Sequence, residues 1–167
     1  MRFTEMILPE FDHEMAITRR VLERVPDDLL DWRPHPRSNT IGWNANHIAD
    51  NPGWTRTILT KPDFDQNPVD GEPHDVPKLT SCKAIVELFD NNVADARQAI
   101  EAFDDSAMNE PWSLLDAGKT LFTSTRAEAL RGFIFSHMIH HRGILTVYFR
   151  LNDIPVPAIY GPSADEQ

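Results

Sequence analysis

A chain of 167 residues and 19.1 kDa, 41 % hydrophobic and 25 % charged, is expected to form one globular domain over residues 1–167. Its net charge of −10, from 16 Lys and Arg against 26 Asp and Glu, repels phosphate backbones. Acidic residues interrupt the best basic stretch, Arg19, Arg20 and Arg24, so nucleic acid is not an expected partner. No apolar run approaches the roughly 20 residues of a membrane span, no export-signal pattern opens the sequence, and the lone Cys82 cannot form an internal disulfide. These features point to a cytoplasmic protein with no membrane partner.

Along the chain, Leu8, Phe11, Met15, Thr18, Leu22 and Val25 recur every three or four residues. They predict a first helix from about Thr4 to Val25, ending before Pro26. The segment from Pro26 to Ser38, with Pro34 and Pro36, is an extended crossing. A second helix starts near Ser38-Asn39-Thr40, carries Ile41, Trp43, Ala45, His47 and Ile48, breaks at Asn51-Pro52-Gly53 and continues through Trp54 and Ile58. Lys61 to Leu79, punctuated by Pro62, Pro68, Pro73 and Pro77, is expected to be a long loop. A third helix runs from Thr80 or Ser81 to about Phe103, with Ile85, Phe89, Asn92, Ala96, Ala99 and Phe103 inward. Trp112–Leu115 and Thr120–Thr123, separated by Asp116-Ala117-Gly118-Lys119, predict a small hairpin. The fourth helix is capped by Thr125 with Glu128 three residues on. Its seam reads Leu130, Ile134, His137, His141, Ile144, Tyr148, Leu151, an unbroken heptad line. The tail from Asn152 ends in a polar stretch expected to be mobile. The fold class is therefore all-α, a four-helix bundle with a small hairpin between helices three and four.

The informative residues interrupt that last seam. His137 and His141 are one turn apart, so their rings leave one face about 6 Å apart and can reach one ion at about 2.0–2.1 Å. Two imidazoles without partners would be costly in a core. His140 offers a rival pairing with His137 but falls on the flank of the helix. His47, mid-segment among Trp43, Ile48 and Trp54, is the best third ligand. His13 is next, although Asp12 and Glu14 beside it indicate a wet face, and His35 and His74 read as surface loop residues. An all-imidazole set suits Zn, Ni, Co, Cu or Fe(II), with zinc and nickel the leading candidates for one divalent ion. Asn44, Asn46, Asp50 and Asn51 surround His47 and can orient ligands or cap helix ends. No phosphate loop, nucleophile-elbow serine or Cys–His motif is present, and nothing around Cys82 argues for a reactive thiol.

The run His137-Met138-Ile139-His140-His141-Arg142-Gly143 resembles the signature of the DinB/YfiT-like metalloproteins. Trp32-Arg33-Pro34, Ile41-Gly42-Trp43 with His47, and the segment from Pro155 to Pro162 are similar to that family too. The resemblance implies an up-down-down-up bundle whose metal is held by one histidine of helix two and two of helix four. By position these are His47, His137 and His141. It also implies a homodimer, and reactions that include thiol-dependent transfer with bacillithiol or mycothiol, isomerisation and hydrolysis. Ile144 stands where the family usually has glutamine. Two functions follow as expectations. One is a metal-dependent transferase or hydrolase acting on a small-molecule electrophile or low-molecular-weight thiol conjugate. The other is a non-enzymatic, stress-related metal- or ligand-binding bundle, favoured by the lack of an evident general acid or base near the histidines.

Overall fold

The computed structural model describes residues 2–167, and four helical runs make up most of it. Helix α1 (Phe3–Leu22) buries Phe11, Met15, Thr18 and Leu22, the stripe that the apolar spacing predicts. Burying side chains of this size contributes about 1.5–3 kcal/mol each. Helix α2 (Ile41–Asp50) begins at Thr40, whose hydroxyl accepts from the Trp43 N–H at 3.0 Å. Gly42 is required at this entry, because a Cβ there would lie 2.9 Å from the Leu30 carbonyl oxygen. The Asn51-Pro52-Gly53 break is a single 3₁₀ turn leading into α3 (Trp54–Thr60). Helix α4 (Cys82–Glu101) is capped by Ser81 and buries Ile85, Phe89, Ala96 and Ala99.

The all-α expectation is corrected by a three-stranded sheet in the order β1-β2-β3. The predicted hairpin is present as β2 (Pro111–Asp116) and β3 (Lys119–Thr125). Ala117 and Gly118 supply positive φ angles of 49° and 74° at its turn, the pair of left-handed residues that a tight hairpin favours. The loop between α3 and α4 adds β1 (Asp63–Asp65), which pairs in parallel with Ser113, Leu114 and Leu115. Bonds from the Ala117 N–H to the Asn67 carbonyl, 3.0 Å, and from the Gly118 N–H to Asp65 Oδ2, 2.7 Å, lock this loop to the hairpin.

The last helical run starts with α5 (Arg126–Ala129), where Thr125 and Glu128 form the predicted capping box. It passes through a π-helical stretch, Leu130–Ser136, into α6 (His137–Leu151). The heptad seam holds through His141 and then drifts, since Leu151 is exposed and Ile144 only half-buried, while Leu145 and Phe149 are buried. At 3.6 residues per turn a straight helix carries residue 151 about 80° away from residue 141, so the apolar stripe moves to its neighbours. The tail is tied down rather than loose. Arg20 donates to the Ala158 carbonyl at 2.7 Å, and Arg24 pairs with Glu166. Helix α1 packs against α4 and α6, and α2 packs against the same two helices, which brings α2 and α6 face to face. Among the described residues no helix is long and apolar enough to cross a membrane.

Candidate metal centre

The facing stripes of α2 and α6 bring His47, His137 and His141 together. His137 Nε2 lies 3.1 Å from His47 Nε2 and 2.9 Å from His141 Nε2. One proton on His137 Nε2 could serve only one of these contacts, so hydrogen bonding does not satisfy the trio. Nitrogens sharing an ion at about 2.0–2.1 Å sit roughly 3 Å apart, and this spacing fits such a site. His140 is exposed, which leaves the His137–His141 pairing as the inward one. His13 and His35 are exposed and lie outside the cluster.

The proton positions follow from the neighbours. Asn44 Nδ2 donates to the Thr40 carbonyl at 2.8 Å, which turns its Oδ1 toward His141 Nδ1 at 2.9 Å. His141 must therefore donate from Nδ1, leaving the Nε2 lone pair facing the cluster. Trp43 stacks on His47 with centroids 4.7 Å apart and also abuts His141. Burial pushes His47 down to about 4, with His137 adding to the shift and Asp50 opposing it. Burial together with His47, His137 and His140 pushes His141 down to about 3. His137 is lowered by burial and by His140. All three rings are thus neutral at neutral pH, the form in which imidazole binds metal. His47 Nδ1 is buried without a hydrogen-bond partner among the described residues, an unmet cost in a site that makes no bond with that atom.

His47 and His137 also line a cavity of about 470 Å³ with Asn51, Trp54 and Phe133. His74, on the exposed loop surface where the sequence placed it, lines the cavity too. Its Nε2 lies 2.8 Å from Asp50 Oδ2, and its ring sits edge-on to Trp54 at 4.8 Å. Trp54 Nε1 donates to the same Asp50 oxygen at 3.2 Å. No sequence pattern joins positions 50 and 74; only the path of the intervening loop brings them together.

A second polar cluster lies behind the site. Arg142, 1 % exposed, pairs with Glu14 at 2.8 Å and donates to Thr18 Oγ1 at 3.0 Å. Tyr160 donates to Glu14 and accepts from Arg142, which fastens the tail to α1. Glu14 is therefore buried, against its reading as part of a wet face. Its place on the Phe11–Met15–Thr18 stripe was the available signal. Cys82 is half-buried and its thiol is pushed up by burial, then by Asp27 and Glu23, so it lacks the character of a nucleophile.

The profile of the DinB superfamily matches residues 10–145. The chain belongs to the DinB superfamily. It is 27 % identical over 164 residues to the uncharacterized protein YrdA of Bacillus subtilis strain 168, covering 95 % of this chain and 89 % of that one. Its fold is similar to the crystal structure of a DinB-like protein from Bacillus cereus ATCC 10987, with a TM-score of 0.71 and 24 % identity, over 93 % of this chain and 97 % of that one. A second DinB-like protein, YjoA of Bacillus subtilis, superposes with a TM-score of 0.64 and 16 % identity, over 90 % and 96 % of the two chains.

Proposed function

We propose that this DinB-superfamily chain is a metal-dependent transferase or hydrolase that holds one divalent ion, zinc or nickel, on His47, His137 and His141. The observation that carries it is the convergence of three imidazoles, with His137 Nε2 lying 3.1 Å from His47 Nε2 and 2.9 Å from His141 Nε2, where His47 and His137 line a cavity. An ion bound there supplies Lewis acidity, which lowers the pKa of a water or thiol and polarises an electrophile. Asn44 orients His141, and the Trp43 ring packs on two of the three histidines. His74, held by Asp50, gives the cavity a group that can take up or release a proton. That pair favours an enzyme over a module that binds without turnover. The helical frame is taken as the family's up-down-down-up bundle, the protein as cytoplasmic, and its assembly as a homodimer.

A panel of ester-hydrolysis and thiol-transfer assays, run with zinc or nickel, tests the proposal. Turnover should require metal, vanish in His137→Ala and fall about 10²- to 10⁴-fold in His74→Gln, the range of general acid–base catalysis. Metal-loaded protein inactive across the whole panel would leave the binding module as the better account.

A further inference from the structure

We infer that the cavity beside the histidines takes a small molecule with a flat apolar body and N–H or O–H donors, carrying no negative charge away from the ion. The inference rests on the metal-dependent reading for what happens at the histidine end, whereas the class of ligand follows from the walls. At about 470 Å³ the cavity is of the size that holds small-molecule ligands. Trp54 and Phe133 contribute ring planes within 15° of each other, and Leu114, Val76 and Pro73 extend the apolar lining. Such walls match a planar ring system better than a flexible polar chain.

The polar groups specify the rest. Asn51 is 6 % exposed and donates from Nδ2 to the Phe133 carbonyl at 2.6 Å, which fixes the orientation of its amide. Its Oδ1 is left buried with no partner among the described residues. The lining also includes Asp116 together with Gln66 and Asn67, but no Lys or Arg. Lys119 is the register partner of Asp116 across the hairpin, yet it makes no ion pair with it and does not line the cavity. The neighbouring cavity, which shares His74 and Val76, places Asp27, Asp31 and Asp75 against a single Lys78. An anionic group entering here loses hydration and meets carboxylates, so it is rejected, whereas an amine or hydroxyl finds acceptors. Carboxylate-bearing thiol conjugates are accordingly poor ligands, and neutral or cationic aromatic compounds are good ones.

Three probes with one naphthalene body separate these terms: 2-naphthylmethylamine, 2-naphthylmethanol and 2-naphthoate. Each is titrated calorimetrically into the full chain, first stripped of metal with chelator and then loaded with zinc. In the stripped protein the amine and alcohol should bind, with naphthoate weaker by roughly tenfold or more. Asp116→Asn should bring the affinity of the amine down toward that of the alcohol. Naphthoate binding as tightly as the alcohol, no binding of any probe, or an amine affinity unchanged in Asp116→Asn would overturn the inference. Zinc uptake measured on the same samples separates the two proposals. Protein that takes no zinc but keeps the probe order sinks the metal site and leaves this inference standing, while protein that takes zinc without the order does the reverse.

Discussion

Helix α6 carries two polar clusters on adjacent positions, His141 turned toward α2 and Arg142 turned toward α1, and they are finished differently. Around Arg142 the main polar groups are matched, since guanidinium, carboxylate, phenol and threonine hydroxyl bond to one another. Around the histidines the ring nitrogens crowd at hydrogen-bond distance with too few protons, and His47 Nδ1 and Asn51 Oδ1 have no partner among the described residues. A closed polar cluster of the first kind fixes how α1, α6 and the tail pack. An open one is tolerated where something else is to bind. The contrast gives each cluster its own experimental signature.

The largest effect should come from the closed cluster. Arg142→Ala leaves Glu14 buried without its partner and should destabilise the fold by about 3–5 kcal/mol, read by urea unfolding. Arg142→Met with Glu14→Leu should recover much of that loss, because apolar replacement of both partners removes the stranded charge. The open cluster should respond in the opposite sense. In metal-free protein His137→Leu should leave the melting temperature unchanged or raise it, while zinc or nickel binding disappears. A large drop in stability there would mean that the histidines are packed for structure, as Arg142 is.

Next in size is Asn44→Ala, which removes the acceptor that fixes the His141 tautomer. Metal affinity should fall about 10- to 100-fold with little change in fold, measured by competition with a zinc indicator. The pH dependence has a definite sign. The folded pKa values of His47, about 4, and His141, about 3, lie below their usual 6.5, so protons favour the unfolded chain. Their contribution in metal-free protein should be full above pH 6.5, decline as the pH falls toward 4, and continue falling toward 3 for His141. A His47→Leu, His141→Leu double variant should flatten that slope. The smallest expected change is that of Thr40→Ala, about 1 kcal/mol for the lost cap of α2, with metal binding intact.

The histidine trio was legible because its signal is local. A turn separates His137 from His141, and the helix-two stripe carries His47. The caps at Thr40, Ser81 and Thr125 and the hairpin turn were legible for the same reason: each is written in a few consecutive residues. What escaped depends on distant partners. Strand β1 is the three residues Asp-Phe-Asp between prolines, and its pairing lies some fifty residues away, from Asp63 to Ser113. His74 gains its place from Asp50, across a loop whose path no periodicity encodes. The end of the α6 seam was misplaced because a heptad line assumes 3.5 residues per turn, while a straight helix that does not supercoil keeps 3.6. The π-helical stretch just before His137 left no mark in the apolar pattern, although such stretches recur beside functional sites.

The most direct measurement is the metal content of protein purified without a histidine tag, by mass spectrometry, beside His137→Ala. The account predicts close to one zinc or nickel per chain, acquired on purification or on addition of the ion, and its loss in the variant. Wild-type protein that stays metal-free after zinc and nickel are supplied, with both forms equally folded, would contradict it.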